Sequence, residues 1–489
     1  MNKIELEKKF STVKTGRSYK QLGNHNPVMT QRFGADPYAL VYEDRCYLYM
    51  TGDLISINES GEIGENTYAN INTINVISSG DLVNWTDHGT IYAASKNGAA
   101  LWGNNSWAPA AAYKMINGSP KFFLYFANSG NGIAVLTSDS PTGPFTDPIG
   151  RALISRETPN CADVPWLFDP AVLMDDGIAY LYFGGGISKD QLASNPGTAR
   201  VVRLGEDMIS LASDAKAIEN VMYLFEDSGI NKIGDTYYYS YCSNFNVPDE
   251  EVENLGFDKG EIIMMTSKCP LGPFQMYGSV LKNPEYFFGK GGNNHHCMFT
   301  FKGKWYMAYH TRLVEQEMNI DKGYRSTNID RVYLNEDGTI KKITGTKVGV
   351  EQVGRLDPYQ KTQAVTMGIM SDITTSQYGS IAEKYGSGEM IVTGIHPGSW
   401  IGIYGVDFGT NQGEKITISV RSIPKAKGCI KICVNNPDSE ALGYIEIKDR
   451  VNEDFQEITA SLDKKITGCH DLFFVFEGEG YDLQYWFFE

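Results

Sequence analysis

The chain has 489 residues, 42% of them hydrophobic and 12% aromatic, and a formal net charge of -16. This is apolar material for more than one packed core, and an acidic chain with no Lys/Arg stripe excludes nucleic acid and anionic membrane as expected partners. The 29 Tyr and 51 Gly favour strands and tight turns.

The first residues, MNKIELEKKFSTVKTGRSYK, contain no apolar h-region. No stretch of the chain reaches the ~20 apolar residues of a membrane span. The expectation is a cytosolic protein. Its eight cysteines (46, 161, 242, 269, 297, 429, 433 and 469) include no CxxC pair, and Cys429 and Cys433 lack the His or Cys set of a zinc site. They are expected to be reduced thiols, several acting as small hydrophobes within strands.

From about residue 25 the chain repeats itself, roughly every 60 to 70 residues. A turn carrying Asp, Trp or His leads into two apolar strands joined by a polar turn. The copies are DPYALVYEDRCYLYMTGD from Asp36, SWAPAAAYKMINGSPKFFLYFANS from Ser106, DPAVLMDDGIAYLYFGGG from Asp169, EDSGINKIGDTYYYSYCSN from Glu226 and HHCMFTFKGKWYMAYHTR from His295. A β-unit that cannot close its own core stacks on its neighbours, so five copies predict a five-bladed β-propeller. The continuous runs YLYM, FFLYF, YLYF, YYYSY and WYMAY fit strands covered on both faces. Pro358, in RLDPYQK, marks a linker. Beyond it the repeat stops, and short alternating strands (EKITISVRSI, CIKICVN, LGYIEIKD, QEITASLD, HDLFFVFEG) predict an antiparallel β-sandwich. The expected organisation is all-β: a propeller over residues 1–355 and a β-sandwich, jelly-roll-like, over 364–489.

Asp36, Asp169 and Glu226 stand at the same point of three copies, and radial stacking brings such points to one end of the axis. Glycosidic hydrolysis needs one carboxylic acid to protonate the leaving oxygen and a second carboxylate to activate water or attack the sugar. The longer Glu226 suits the acid, and a third carboxylate nearby would keep it protonated by like-charge repulsion. The alternative reading of an Asp before Pro is a turn cap. Asp227, beside Glu226, competes for the acid's role.

The segments GADPYALVYEDRCYLYMT, SSGDLVNWTDHG, SWAPAAAYK, DPAVLMDDGIAYLYFGG, the Glu226 region and NNHHCMFTFKGKWYMAYH together resemble glycoside hydrolase family 43 over residues 25 to 350. The resemblance implies an inverting mechanism with Asp36 as general base, Glu226 as general acid and Asp169 as the group that raises the acid's pKa. Acid and base then stand about 6.5–9.5 Å apart, against about 5–5.5 Å for a retaining enzyme. It places His295 on the propeller axis as a calcium ligand with waters, and implies no organic cofactor. His296 is read as a blade residue or a substrate contact, Arg325 as a donor to sugar hydroxyls, and Trp107 and Trp166 as stacking surfaces beside the site. Within the family, GGNNHHCMFTFKGKWYMAYHTR with GYRSTNIDRVYLNEDGTI is similar to arabinofuranosidases acting on arabinoxylan oligosaccharides. β-Xylosidase or dual activity is the alternative, and a noncatalytic carbohydrate-binding propeller or a retaining fructan- or sucrose-cleaving propeller are the readings from other classes.

The last 126 or so residues resemble carbohydrate-binding module family 6. Gln363, Val365 and Gln484 stand where that module carries calcium-binding carboxylates, and Asp482 where it carries a sugar-contacting Asn. The expectation is a structural module without that calcium, with Trp400, Tyr404 and Trp486 packed in its core rather than stacked on sugar.

Overall fold

The computed structural model describes residues 3–187, 189–378, 389–447 and 454–489. Five small antiparallel sheets follow one another along the first two thirds of the chain. The innermost strands are Ala35–Tyr42, Trp107–Ile116, Ala171–Asp175, Leu224–Ile233 and His296–Phe301. Each pairs with the strand that follows it. The sheets are the blades of a five-bladed propeller.

Period-two alternation explains the continuous apolar runs. Within Ser119–Ala127, Phe122 and Leu124 pack toward the first blade with Leu40, Tyr49 and Val76. Phe123 and Tyr125 pack toward the third with Val172, Leu181 and Val202. Tyr182, Tyr239 and Tyr241 join the third blade to the fourth, and Met264, Met298 and Met307 join the fourth to the fifth. Leu48, Met50, Phe299 and Tyr306 close the fifth onto the first. The apolar run of this strand therefore has no solvent face, because both of its side-chain rows are interface. The ring is tied shut by the segment preceding the first blade. Val28 and Gly34 donate backbone hydrogen bonds to Thr327 and Arg325, and Asn26 bonds Ile329 through both ends of its amide.

Beyond the propeller, a nine-stranded set of paired segments forms the β-sandwich. Its two long strands, Gly413–Val434 and Cys469–Phe488, pair along most of their length with register breaks. Breaks of this kind let one pair of strands turn a corner between layers. Trp486 is fully buried in the core beside Phe474 and Phe488. Trp400 and Tyr404 are buried as well, with Trp400 donating to the Gly16 carbonyl at 2.9 Å. None of the three presents a face to a sugar. Gln484 is occupied by Ser419 and Glu389, Val365 is fully buried, and Asp482 is ion-paired with Arg421 at 2.8 Å. Hydrogen bonds, packing and an ion pair thus take up Gln484, Val365 and Asp482.

The two domains are stitched together. Thr366–Met367 adds to the outer edge of the first blade by pairing with Trp85 and Thr86. Buried Asp87 accepts from Arg32, Thr375 and the Gly89 amide. Asn84 exchanges two 2.8 Å hydrogen bonds with the Tyr404 backbone. One expectation needs correction. The N-terminal residues, assigned with the propeller as 1–355, lie on the sandwich: Lys9 pairs with Glu477 at 2.8 Å, Phe10 packs on Tyr444, and the Gly16 amide donates to Gly398. The helix Lys3–Phe10 is too short to stand alone, and its apolar Phe10 packs against a cluster formed by Trp400, Phe473 and Val475 of the second domain with Val83 of the first blade. All eight cysteines are free thiols, with only Cys269 and Cys469 exposed. Among the described residues no helix is long and apolar enough to cross a membrane.

Candidate active site

Four innermost strands open on a residue with left-handed backbone: Asp36 (φ 47), Ala108 (φ 44), Asp169 (φ 51) and Asp227 (φ 71). In the first, second and fourth blades the ladder slips at this point. A non-glycine residue in this conformation costs about 1–3 kcal/mol, and persists where packing over-determines it. The bulge turns each side chain from the plane of its sheet toward the axis. Glu226 is therefore not the fourth blade's equivalent of Asp36 and Asp169; Asp227 is. Glu226 stands one residue earlier and comes to the same end of the axis from the rim side of the bulge.

Asp36, Asp169 and Glu226 line one pocket of about 90 Å³ with Tyr68, Ile71, Trp107, Phe168, Asn293, His295 and Arg325. All three carboxyls belong to buried residues. Arg325 donates to Asp36 through Nη1 at 2.9 and 3.2 Å. Asp53 grips the other side of the same guanidinium, taking Nε at 3.0 Å and Nη2 at 2.8 Å, and also accepts the Arg325 backbone amide. The fork is thus fixed between two acids, with Tyr68 lying over its face at 5.0 Å.

The electrostatics separate the three acids. Burial alone would raise Asp36, but Arg325, then His295 and His310, outweigh it and hold this carboxyl far below the ordinary range. Glu226 is pushed well upward, first by burial and then by the charges of Asp169, Asp36 and Asp227, against a hydrogen bond from Asn293. Its Oε1 is buried without a hydrogen-bond partner among the described residues. Asp169 is likewise raised, by burial and then by Asp36, while its Oδ2 accepts the Asp227 amide at 2.8 Å. A carboxylate poised as base thus faces a carboxylic acid that keeps its proton, the division of labour that acid–base hydrolysis requires.

The remaining expected residues divide. Trp107 lines the pocket, its indole N–H donating to the Tyr68 carbonyl at 3.0 Å. Trp166 stands outside it on the rim, 37% exposed, set edge-on against Phe168 and Phe225. Arg325 lines the pocket but directs its Nε, Nη1 and Nη2 to Asp53 and Asp36. His296 is not a substrate contact: its ring is fully buried, with Nδ1 2.5 Å from Asp227 Oδ2 and Nε2 2.8 Å from Ser240 Oγ. The strand that begins at His296 turns this side chain into the blade, and the preceding His295 faces the pocket.

Asp227, the rival for the acid's role, is buried on the axis and spoken for by both histidines. His295 places Nε2 3.1 Å from Asp227 Oδ1 and Nδ1 3.6 and 3.8 Å from Asp36 and Asp169. Burial lowers its pKa, opposed by Asp227 and Asp36. An imidazole bonded this closely to a carboxylate leaves no room for an ion between them, and calcium prefers oxygen donors. The residues do not fit a calcium site at His295, and none of the chemistry below is routed through a cation.

Asp53, Tyr68, Asn293 and His310 were not singled out from the sequence. Asp53 closes the first repeat's YMTGD, and Asn293 and His310 lie within GGNNHH and YMAYHTR. Their only signal was a polar residue at the end of an apolar run, a pattern shared with ordinary turns.

The match to known proteins agrees with this geometry. The model for Glycosyl hydrolases family 43 matches residues 24–340, and that for Carbohydrate binding module (family 6) matches 363–489. An arabinoxylan arabinofuranohydrolase of Paenibacillus polymyxa is 43% identical over 94% of this chain and 72% of its own length. One from Bacillus subtilis (strain 168) is 43% identical over 96% of this chain and 93% of its own. The crystal structure of a family 43 arabinoxylan arabinofuranohydrolase from Bacillus subtilis, in complex with cellotetraose, superposes with a TM-score of 0.90 at 42% identity, covering 97% of this chain and 99% of that one. Likeness this extensive, on a propeller whose axial pocket gathers Asp36, Asp169 and Glu226, makes the protein a member of glycoside hydrolase family 43, joined to a C-terminal domain of carbohydrate-binding module family 6.

Proposed function

We propose that the protein releases single terminal α-L-arabinofuranosyl groups from arabinoxylan-derived oligosaccharides, with inversion at the anomeric carbon. The observation that carries this is the opposite poise of the two carboxyls in one small pocket: Asp36 is held ionised by Arg325, and Glu226 is held protonated by burial and Asp169. Two relatives alike along nearly the whole chain, both named arabinoxylan arabinofuranohydrolases, support the choice of sugar.

In this mechanism the glycosidic oxygen faces Glu226, which gives up its proton as the bond to the anomeric carbon breaks. A water on the opposite face of the ring attacks that carbon and passes its proton to Asp36. Asp169 keeps Glu226 protonated until the bond breaks. The pocket accepts one ring, and the xylan chain lies outside it near the exposed Trp166 rim.

The test is to incubate the protein with arabinoxylo-oligosaccharides and follow the products by proton NMR. Free arabinose appearing first as the β-anomer is expected. Xylose as the sole sugar released, the α-anomer appearing first, or no turnover would each overturn the reading.

A further inference from the structure

His310, already met as a neighbour of the Asp36 carboxyl, touches both halves of the site. It lies on Lys304–Thr311, the second strand of the fifth blade, and is 2% exposed. Its Nδ1 accepts the Asp36 backbone N–H at 3.2 Å, close beside the Asp36 carboxyl, whose Oδ1 is 3.0 Å away. Its Nε2 lies 2.8 Å from the carbonyl of Asn293. A carbonyl only accepts, so Nε2 carries the hydrogen. Asn293 in turn lines the pocket together with the Glu226 carboxyl. Its loop is anchored on both sides: Asn283 donates to the Gly292 carbonyl at 2.9 Å and Asn294 donates to Gly260 at 3.0 Å.

We infer that His310 is a positioning residue that braces the catalytic base and the acid against each other, holding Asp36 through Nδ1 and, through Nε2, the loop that presents Asn293 to Glu226. This deepens the proposed function and rests on it. The Asn293 side chain, on the pocket wall with Glu226, favours the ionised form of that carboxyl. It therefore stabilises the acid as its proton leaves, the moment at which a poor leaving group needs help. The two ends of the imidazole have separable tasks, one for the base and one for the acid.

Two near-isosteric substitutions divide the ring. His310→Asn keeps a polar atom near the Nδ1 position and drops the donor to Asn293. His310→Gln keeps a donor near Nε2 and drops the contact with Asp36. Each is assayed on arabinoxylo-oligosaccharide, whose leaving alcohol needs a proton, and on 4-nitrophenyl α-L-arabinofuranoside, whose leaving phenolate does not.

With His310→Asn, kcat/KM on the oligosaccharide is expected to fall about 10- to 100-fold, a part of the 10²–10⁴ that general acid catalysis supplies. On the aryl substrate it falls about threefold or less, because the base is still held. His310→Gln lowers both substrates by the same factor. Asn293→Ala, which alters a pocket-wall side chain and leaves the core packing intact, reproduces the selectivity of His310→Asn and keeps the test alive if either histidine variant fails to fold. Equal losses on both substrates for His310→Asn and Asn293→Ala overturn the brace. An unaltered protein that turns over neither substrate overturns the proposed function instead.

Discussion

Replacing Asp169 by Asn tests the electrostatic logic of the site directly. The side chain keeps its shape and an oxygen for the Asp227 amide, which Asp169 Oδ2 now accepts at 2.8 Å, but loses its charge. That charge is the largest influence after burial in pushing Glu226 upward. For two carboxylates sharing one small pocket, at an effective dielectric of about 20, the mutual interaction is about 3 kcal/mol, about a hundredfold in ionisation constant. Glu226 must be protonated to act, so its ionisation sets the alkaline limb of kcat/KM against pH. The two acids titrate as a pair, and the substitution removes the upper of the pair's two steps. The alkaline limb should therefore move to lower pH by about two pH units. The acidic limb, set by Asp36, should stay low because Arg325 is untouched. The measurement is the pH dependence of arabinose release from arabinoxylo-oligosaccharide at limiting substrate. An alkaline limb that stays in place, or moves to higher pH, would mean that Asp169 does not control the acid.

Arg325→Lys removes the fork that spans Asp36 and Asp53. One ammonium cannot serve both acids, so burial prevails at Asp36, its pKa rises, and the acidic limb of the profile moves to higher pH. The same change leaves a buried carboxylate short of its partner and should lower stability by about 3–5 kcal/mol in urea unfolding. An unmoved acidic limb would show that Arg325 does not hold the base. Dialysis against a chelator should leave kcat/KM unchanged, since His295 Nε2 is already held by Asp227. Activity lost on chelation and restored by calcium would refute that reading of the axis.

The architecture was legible because it is written in repetition. Five apolar strand pairs at regular spacing leave few arrangements other than stacking around an axis, and the left-handed turns at Asp36 and Asp169 recur with them. The change of pattern after Pro358 likewise announced a second domain. What stayed hidden turns on single-residue offsets and long-range pairs. Glu226 and Asp227 are neighbours with opposite destinies, one a pocket acid and the other an axial anchor. A bulge decides between them, and a bulge is set by the packing of the blade on its neighbours. His295 and His296 separate for the same reason.

Residue type and spacing by themselves determined that this chain would form blades and a sandwich, and that acids from three blades would meet, because burial of apolar rows is a local demand repeated along the chain. Only the closed ring decided what those acids became. Asp53 reaches Arg325 across 272 positions, and Asp36 reaches it across 289. Such partners share no local pattern, and the Coulomb energy that makes one carboxyl a base and another an acid exists only once the ring has excluded water from between them.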